Sequence, residues 1–175
     1  MNRHTPTRAL DDLEPVVACR IIRAPASAVW SVLATPGQLT RYHPYCSENR
    51  VIHWPGRGSR DGVRYLSGLY FERDFVSWSE GVGYDVQVGP PPRKSCFVSW
   101  RIAALSGTDS EMILRLTPLL ESRLAGCVKS AYLERYFGAS VQLYLDHLLR
   151  GLEQFVMTGR TVGKKQFGPH PLYAP

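Results

Sequence analysis

Tyr132–Met157, YLERYFGASVQLYLDHLLRGLEQFVM, is the stretch on which the fold turns. Val141, Tyr144, Leu145, Leu148, Leu152 and Phe155 recur at helical spacing, with Leu133 and Phe137 extending the same stripe upstream. Arg135, Gln142, Asp146, Arg150 and Glu153 collect on the other side of the wheel. The spacing predicts one amphipathic helix, about 40 Å long if uninterrupted. Gly138 and Gly151 each weaken such a helix by about 1 kcal/mol relative to alanine. Close approach, a bend or room for a ligand are the reasons a chain keeps them, and Gly138 is read as making room. Gly159 suits the helix stop.

A stripe that long needs an apolar surface to cover, and the residues upstream supply strands. Tyr84, Val86 and Val88 alternate with Asp85 and Gln87. Val98, Trp100 and Ile102 alternate with Ser99 and Arg101, and Met112, Leu114 and Leu116 face away from Glu111 and Arg115. This period of two predicts a sheet with a dry face under the helix and a wet face outside. The expected strands are Pro15–Arg23, Cys46–Trp54, Val63–Leu69, Tyr70–Ser79, Tyr84–Val88, Lys94–Leu105 and Glu111–Leu120. Turn residues separate them, including PGRGSRDG from Pro55 to Gly62 and SGTD from Ser106 to Asp109. Between the first two strands, Pro25 opens a helix from about Ala26 to Ala34, and Thr35-Pro36-Gly37 ends it before a shorter helix, Gln38 to Tyr42. Glu121–Ala131 reads equally as loop or as the first turns of the long helix.

The 175 residues, 44% of them hydrophobic, suit one domain. Residues 1–13 are polar and expected to be flexible, 14–158 form the domain, and the tail 159–175 holds Phe167, Leu172 and Tyr173 with which to dock. Neither a signal-peptide core nor a run of ~20 apolar residues is seen, so a cytoplasmic chain without a transmembrane segment is expected. Cys19, Cys46, Cys96 and Cys127 stand apart and are expected as reduced thiols, mostly packed. The net charge of +6 is scattered, and its basic clusters lack interleaved aromatics, which argues against nucleic acid as a partner. Monomer and homodimer both remain open.

The order of strand, two short helices, six strands and a long helix resembles the helix-grip fold of the START-like (SRPBCC) superfamily, particularly its polyketide cyclase/dehydrase-like branch. IIRAPASAVWSVLATPGQLTRYHP, Ile21–Pro44, carries the likeness most strongly, with WPGRGSRDG at Trp54–Gly62 and EGVGYDVQVG at Glu80–Gly89. The resemblance covers about Val16–Thr158 and implies an α+β fold. In it, a seven-stranded curved antiparallel sheet wraps a long C-terminal helix, with two short helices after the first strand. It also implies a pocket between sheet and helix for a hydrophobic, and in some members aromatic, small molecule. The superfamily includes lipid carriers and aromatase/cyclases, and no shared catalytic constellation carries over.

Side-chain chemistry narrows this only partly. Gly56, Gly58 and Gly62 do not make a phosphate loop, and a hairpin turn is expected instead. His43, Cys46 and His53 match no zinc spacing, so neither metal nor other cofactor is expected. No G-x-S-x-G elbow is present. Arg73 alternates with Phe71 and Phe75, so its guanidinium belongs on the dry face. There it either clamps a ligand oxygen or closes a structural salt bridge, unless a one-residue register shift returns it to water. Tyr42, Tyr65, Tyr84, Trp100 and Tyr144 are the aromatic candidates for a pocket wall, with Phe137 and Val141 roofing it. His43, next to Pro44, is a weak acid/base candidate. His147, near the edge of the helix's polar face, is left out of the site. Binding or carriage of a hydrophobic small molecule is the leading expectation. Alternatives are a cyclase, dehydratase or isomerase in which Arg73 steadies an enolate and His43 or a tyrosine moves protons, and a chaperone-like interaction module using the outer sheet.

Overall fold

Seven antiparallel strands pair in the order β1-β7-β6-β5-β4-β3-β2. The structure, a computed structural model, describes residues 15–119 and 138–175. Residues 1–13, expected to be flexible, Glu121–Ala131, and Tyr132–Phe137, expected to begin the helix and to supply Phe137 to the pocket, lie outside the described residues. The strands are β1 Val16–Ile22, β2 Cys46–His53, β3 Arg60–Tyr65, β4 Tyr70–Ser79, β5 Gly83–Gly89, β6 Cys96–Ala104 and β7 Ser110–Pro118. Helices α1 Ala26–Leu33 and α2 Leu39–Tyr42 follow β1, and α3 Gly138–Thr158 closes the fold against the curved sheet.

The alternation reads out as expected: Tyr84, Val86, Val98, Trp100, Met112 and Leu114 are buried on the face toward α3. Leu145, Leu148, Leu149 and Leu152 of α3 are buried against them, each side chain contributing about 1.5–3 kcal/mol by leaving water. Outside, Arg20 on β1 pairs with Glu153 and, at 3.7 Å, with Asp146. At the far end of α3, Gly159 takes φ +67° and its amide bonds to Phe155 O at 2.8 Å, ending the helix. Cys19 is exposed rather than packed.

One expected strand began in the wrong place. β3 starts at Arg60, three residues before Val63, because the hairpin turns tightly at Ser67-Gly68 and pairs Val63 with Phe71 and Asp61 with Arg73. The glycine-rich turn is correspondingly shorter, and Asp61 becomes an inward strand residue.

Gly151 sets how close α2 lies to α3. A Cβ there would stand 2.0 Å from the Tyr42 carbonyl oxygen, so glycine is required by close approach. Gly151→Ala is expected to destabilise the chain by about 1–3 kcal/mol, reversing the usual gain of about 1 kcal/mol on replacing a helical glycine. The urea midpoint checks this; a rise would contradict the packing described.

Candidate ligand pocket

A small cavity, about 50 Å³, lies between the sheet and α3. Its sheet wall includes Val63, Val86, Val98, Trp100 and Leu116, and Leu145 and Leu148 of α3 close the opposite side. The polar groups that reach it are His43, Tyr65, Arg73, Tyr144 and Tyr173. Room for a few waters is far below the ~300–1,000 Å³ of a site for a drug-sized ligand.

Arg73 is buried with its guanidinium at the cavity, and Asp61, from the next strand, is its counter-ion. Nε donates to Asp61 Oδ1 at 2.8 Å and Nη2 to Oδ2 at 2.5 Å, while Asn49 Nδ2 donates to Oδ2 at 3.0 Å. Burial works against the guanidinium's charge, but the Asp61 charge and hydrogen bonds outweigh it and raise the Arg73 pKa. The pair brings no net charge to the cavity. The inward register holds, and the salt bridge engages both carboxylate oxygens.

His43 stands at the end of α2, where the chain turns into β2, and both of its ring nitrogens are occupied. The Tyr45 amide donates to Nδ1 at 3.1 Å, and Nε2 lies 2.8 Å from Tyr144 Oη. Tyr144 Oη is in turn 3.0 Å from Tyr65 Oη. Burial, reinforced by the charges of Arg73 and Lys164, lowers the His43 pKa to about 3. Burial raises those of Tyr65 and Tyr144. At neutral pH all three are uncharged.

The other expected site residues separate into two groups. Trp100, Tyr65, Arg73 and Tyr144 meet at the cavity, as does His43. Tyr42 stacks on Phe155 at 6.4 Å, and Tyr84 packs among Phe75, Trp78 and Trp100; neither lines the cavity. Tyr84 is also pushed up to about 12 by burial. Val141 is buried elsewhere on α3, and Gly138 lies outside the lining. Cys46 is buried and His53 sits on the exposed end of β2. Among the described residues no group of three His, Cys, Asp or Glu side chains converges to hold a metal ion.

Sequence reasoning left out the residues that close the cavity. The segment after Gly159 runs back over α2 and α3, with Val162 N bonded to Arg41 O at 2.8 Å and Lys165 N to Pro44 O at 3.0 Å. It places Tyr173 with ring centroids 4.4 Å from Tyr65 and 4.6 Å from Tyr144. Ser67 N donates to Tyr173 O at 3.0 Å, tying the segment to the β3–β4 turn. His170, fully buried, anchors it further: Nδ1 accepts from the amides of Leu172 and Tyr173, and Nε2 lies 3.0 Å from Ser140 O. His147 is also buried, not at a polar edge, because Tyr45 and Phe167 cover that side of α3 and Tyr45 Oη bonds its Nδ1.

No family profile and no curated sequence matches the chain. Solved structures do. The di-domain ARO/CYC BexL from the BE-7585A biosynthetic pathway superposes with TM-score 0.63 at 13% identity, over 82% of this chain and 47% of that one. Ara h 8.0201 gives TM-score 0.61 at 12% identity, over 82% of this chain and 97% of its own. The chain has the helix-grip fold of START-like (SRPBCC) proteins. A third helix-grip relative in structure, the Aha1 dimer of Colwellia psychrerythraea, gives TM-score 0.63 at 11% identity, over 84% and 98% of the two chains. Among the described residues of this helix-grip chain, no helix is long and apolar enough to cross a membrane.

Proposed function

We propose that this chain binds and carries an uncharged, flat apolar small molecule between sheet and α3, and that the ligand enters by taking the place of Tyr173. The observation that carries this reading is that one ring of the cavity lining, Tyr173, comes from the C-terminal tail. Tyr173 packs its ring, tilted, against those of Tyr65 and Tyr144, on a tail segment rather than a sheet strand. Removing that ring enlarges a cavity whose other walls are largely apolar. The preference for a neutral guest follows from the charge balance, since Arg73 is already compensated by Asp61 and an ionised guest would lose hydration without gaining a counter-ion.

Carriage is favoured over catalysis by the state of the polar groups. His43 has its Nδ1 lone pair bonded to a backbone amide and a pKa near 3, so it is a poor proton acceptor at neutral pH. Arg73 is engaged by a carboxylate rather than held free for an enolate.

N-phenyl-1-naphthylamine and 8-anilinonaphthalene-1-sulfonate test this, because they share one aromatic frame and differ by a sulfonate. The neutral probe is expected to bind with a rise in fluorescence, and the anionic one at least about tenfold more weakly. Tyr173→Ala is expected to tighten the neutral probe several-fold, since the plug no longer competes. Equal affinity for the two probes, or no response to the neutral one, would refute the proposal.

A further inference from the structure

The hydrogen bonds at the cavity wall leave one proton over. His43 Nδ1 accepts from the Tyr45 amide, so the neutral ring carries its proton on Nε2 and gives it to Tyr144 Oη, 2.8 Å away. The 3.0 Å bond between Tyr144 and Tyr65 uses one of the two phenolic protons, whichever ring donates it. Among the described residues the second phenolic proton has no acceptor, and both rings line the cavity. A histidine fixed by a backbone amide therefore leaves the tyrosine pair with one spare donor at the cavity wall.

We infer that the Tyr65–Tyr144 pair, oriented by His43, binds a neutral oxygen acceptor of the ligand, such as a ketone, and so selects oxygenated apolar molecules over plain hydrocarbons. This rests on the pocket reading above. Tyr144 and Tyr65 present the donor beside an apolar wall that includes Val63, Val86 and Trp100, so one oxygen at the edge of a ring system satisfies the site. Asp61 holds Arg73 Nε and Nη2, and Arg73 is unchanged in the tyrosine variants, so any donor it offers is constant across them. A carboxylate would meet one phenolic donor without a free counter-ion.

1-Tetralone and tetralin, alike except for the carbonyl, can be titrated as competitors of N-phenyl-1-naphthylamine. The ketone is expected to bind about tenfold more tightly than the hydrocarbon, the value of one neutral hydrogen bond. The proton count makes a sharper demand on variants. In Tyr65→Phe the spare proton passes to Tyr144, and in Tyr144→Phe it stays on Tyr65, so each single variant keeps most of the ratio. The triple variant His43→Leu/Tyr65→Phe/Tyr144→Phe loses both phenolic donors and the imidazole N–H that Tyr144→Phe would free at the cavity wall, and its ratio falls to within about twofold of unity; circular dichroism checks that it is folded. Equal binding of the two compounds to the native protein would overturn the inference while leaving the pocket reading standing. A ratio that survives in the folded triple variant would overturn it too, by placing the donor elsewhere. If neither compound nor the naphthylamine binds, both fall together.

Discussion

Asp61→Leu is expected to lower the unfolding free energy by about 3–5 kcal/mol, a large share of the ~5–15 kcal/mol that holds a domain folded. Asp61 is 1% exposed, and without its carboxylate the buried Arg73 guanidinium has lost its counter-ion in an apolar cavity. Arg73→Met does the converse, leaving the buried carboxylate with Asn49 but no cation, and is expected to destabilise by a similar amount. The double variant Asp61→Leu/Arg73→Met removes both charges and replaces them with groups of comparable size. Its urea midpoint should recover to within about 1 kcal/mol of the native protein or exceed it. Two single-variant losses that simply add in the double variant would show that the pair is not the coupled unit described.

Acidification is the second large effect. His43, His147 and His170 are all buried, and burial lowers each pKa, that of His43 to about 3. A base whose folded pKa lies below its ordinary value of about 6.5 binds more protons unfolded than folded. Its contribution is therefore complete above about pH 6.5 and is withdrawn as pH falls toward the folded value. Each such histidine removes up to about 1.4 kcal/mol per pH unit within its window.

The charges around the three differ. His43 faces Arg73 and Lys164, which disfavour a further proton, while His147 has Asp146 favouring one and Arg150 opposing it. His170 has Ser140 and two tail amides around it, and protonating its Nδ1 would set a donor against the Leu172 and Tyr173 amides. The tail should therefore loosen before the sheet unfolds. Urea midpoints measured from pH 7 down to 4.5 should fall steadily, and the tyrosine near-ultraviolet signal should change at a higher pH than the far-ultraviolet signal. A midpoint independent of pH across that range would contradict the assignment of neutral buried histidines.

The fold was readable because alternation and helical spacing are local properties of the chain. Val86 faces α3 and Asp85 faces out for the same reason that any strand alternates, and no tertiary information is needed to see it. Arg73 was legible as inward for that reason too. Its partner was not, because Asp61 pairs with it only once the hairpin is centred at Ser67, and the glycines upstream invited a longer turn.

His147 and His170 show the limit of such reasoning from the other side. A helical wheel places His147 relative to its own helix, but its burial comes from Tyr45 and from a tail 20 residues further along. Nothing periodic in FGPHPLYAP announces that its tyrosine reaches the cavity. The useful signal was cruder: apolar side chains beyond a helix stop, on a tail that would otherwise leave them in water.

The most direct test of ligand entry is amide hydrogen exchange at Ser67 during titration with N-phenyl-1-naphthylamine. Ser67 N–H is bonded to the Tyr173 carbonyl, so its exchange reports whether the plug is seated. Displacement of Tyr173 by the guest predicts that Ser67 exchanges faster in the bound protein while the amides of β6 stay protected. Saturating binding with Ser67 protection unchanged would contradict it.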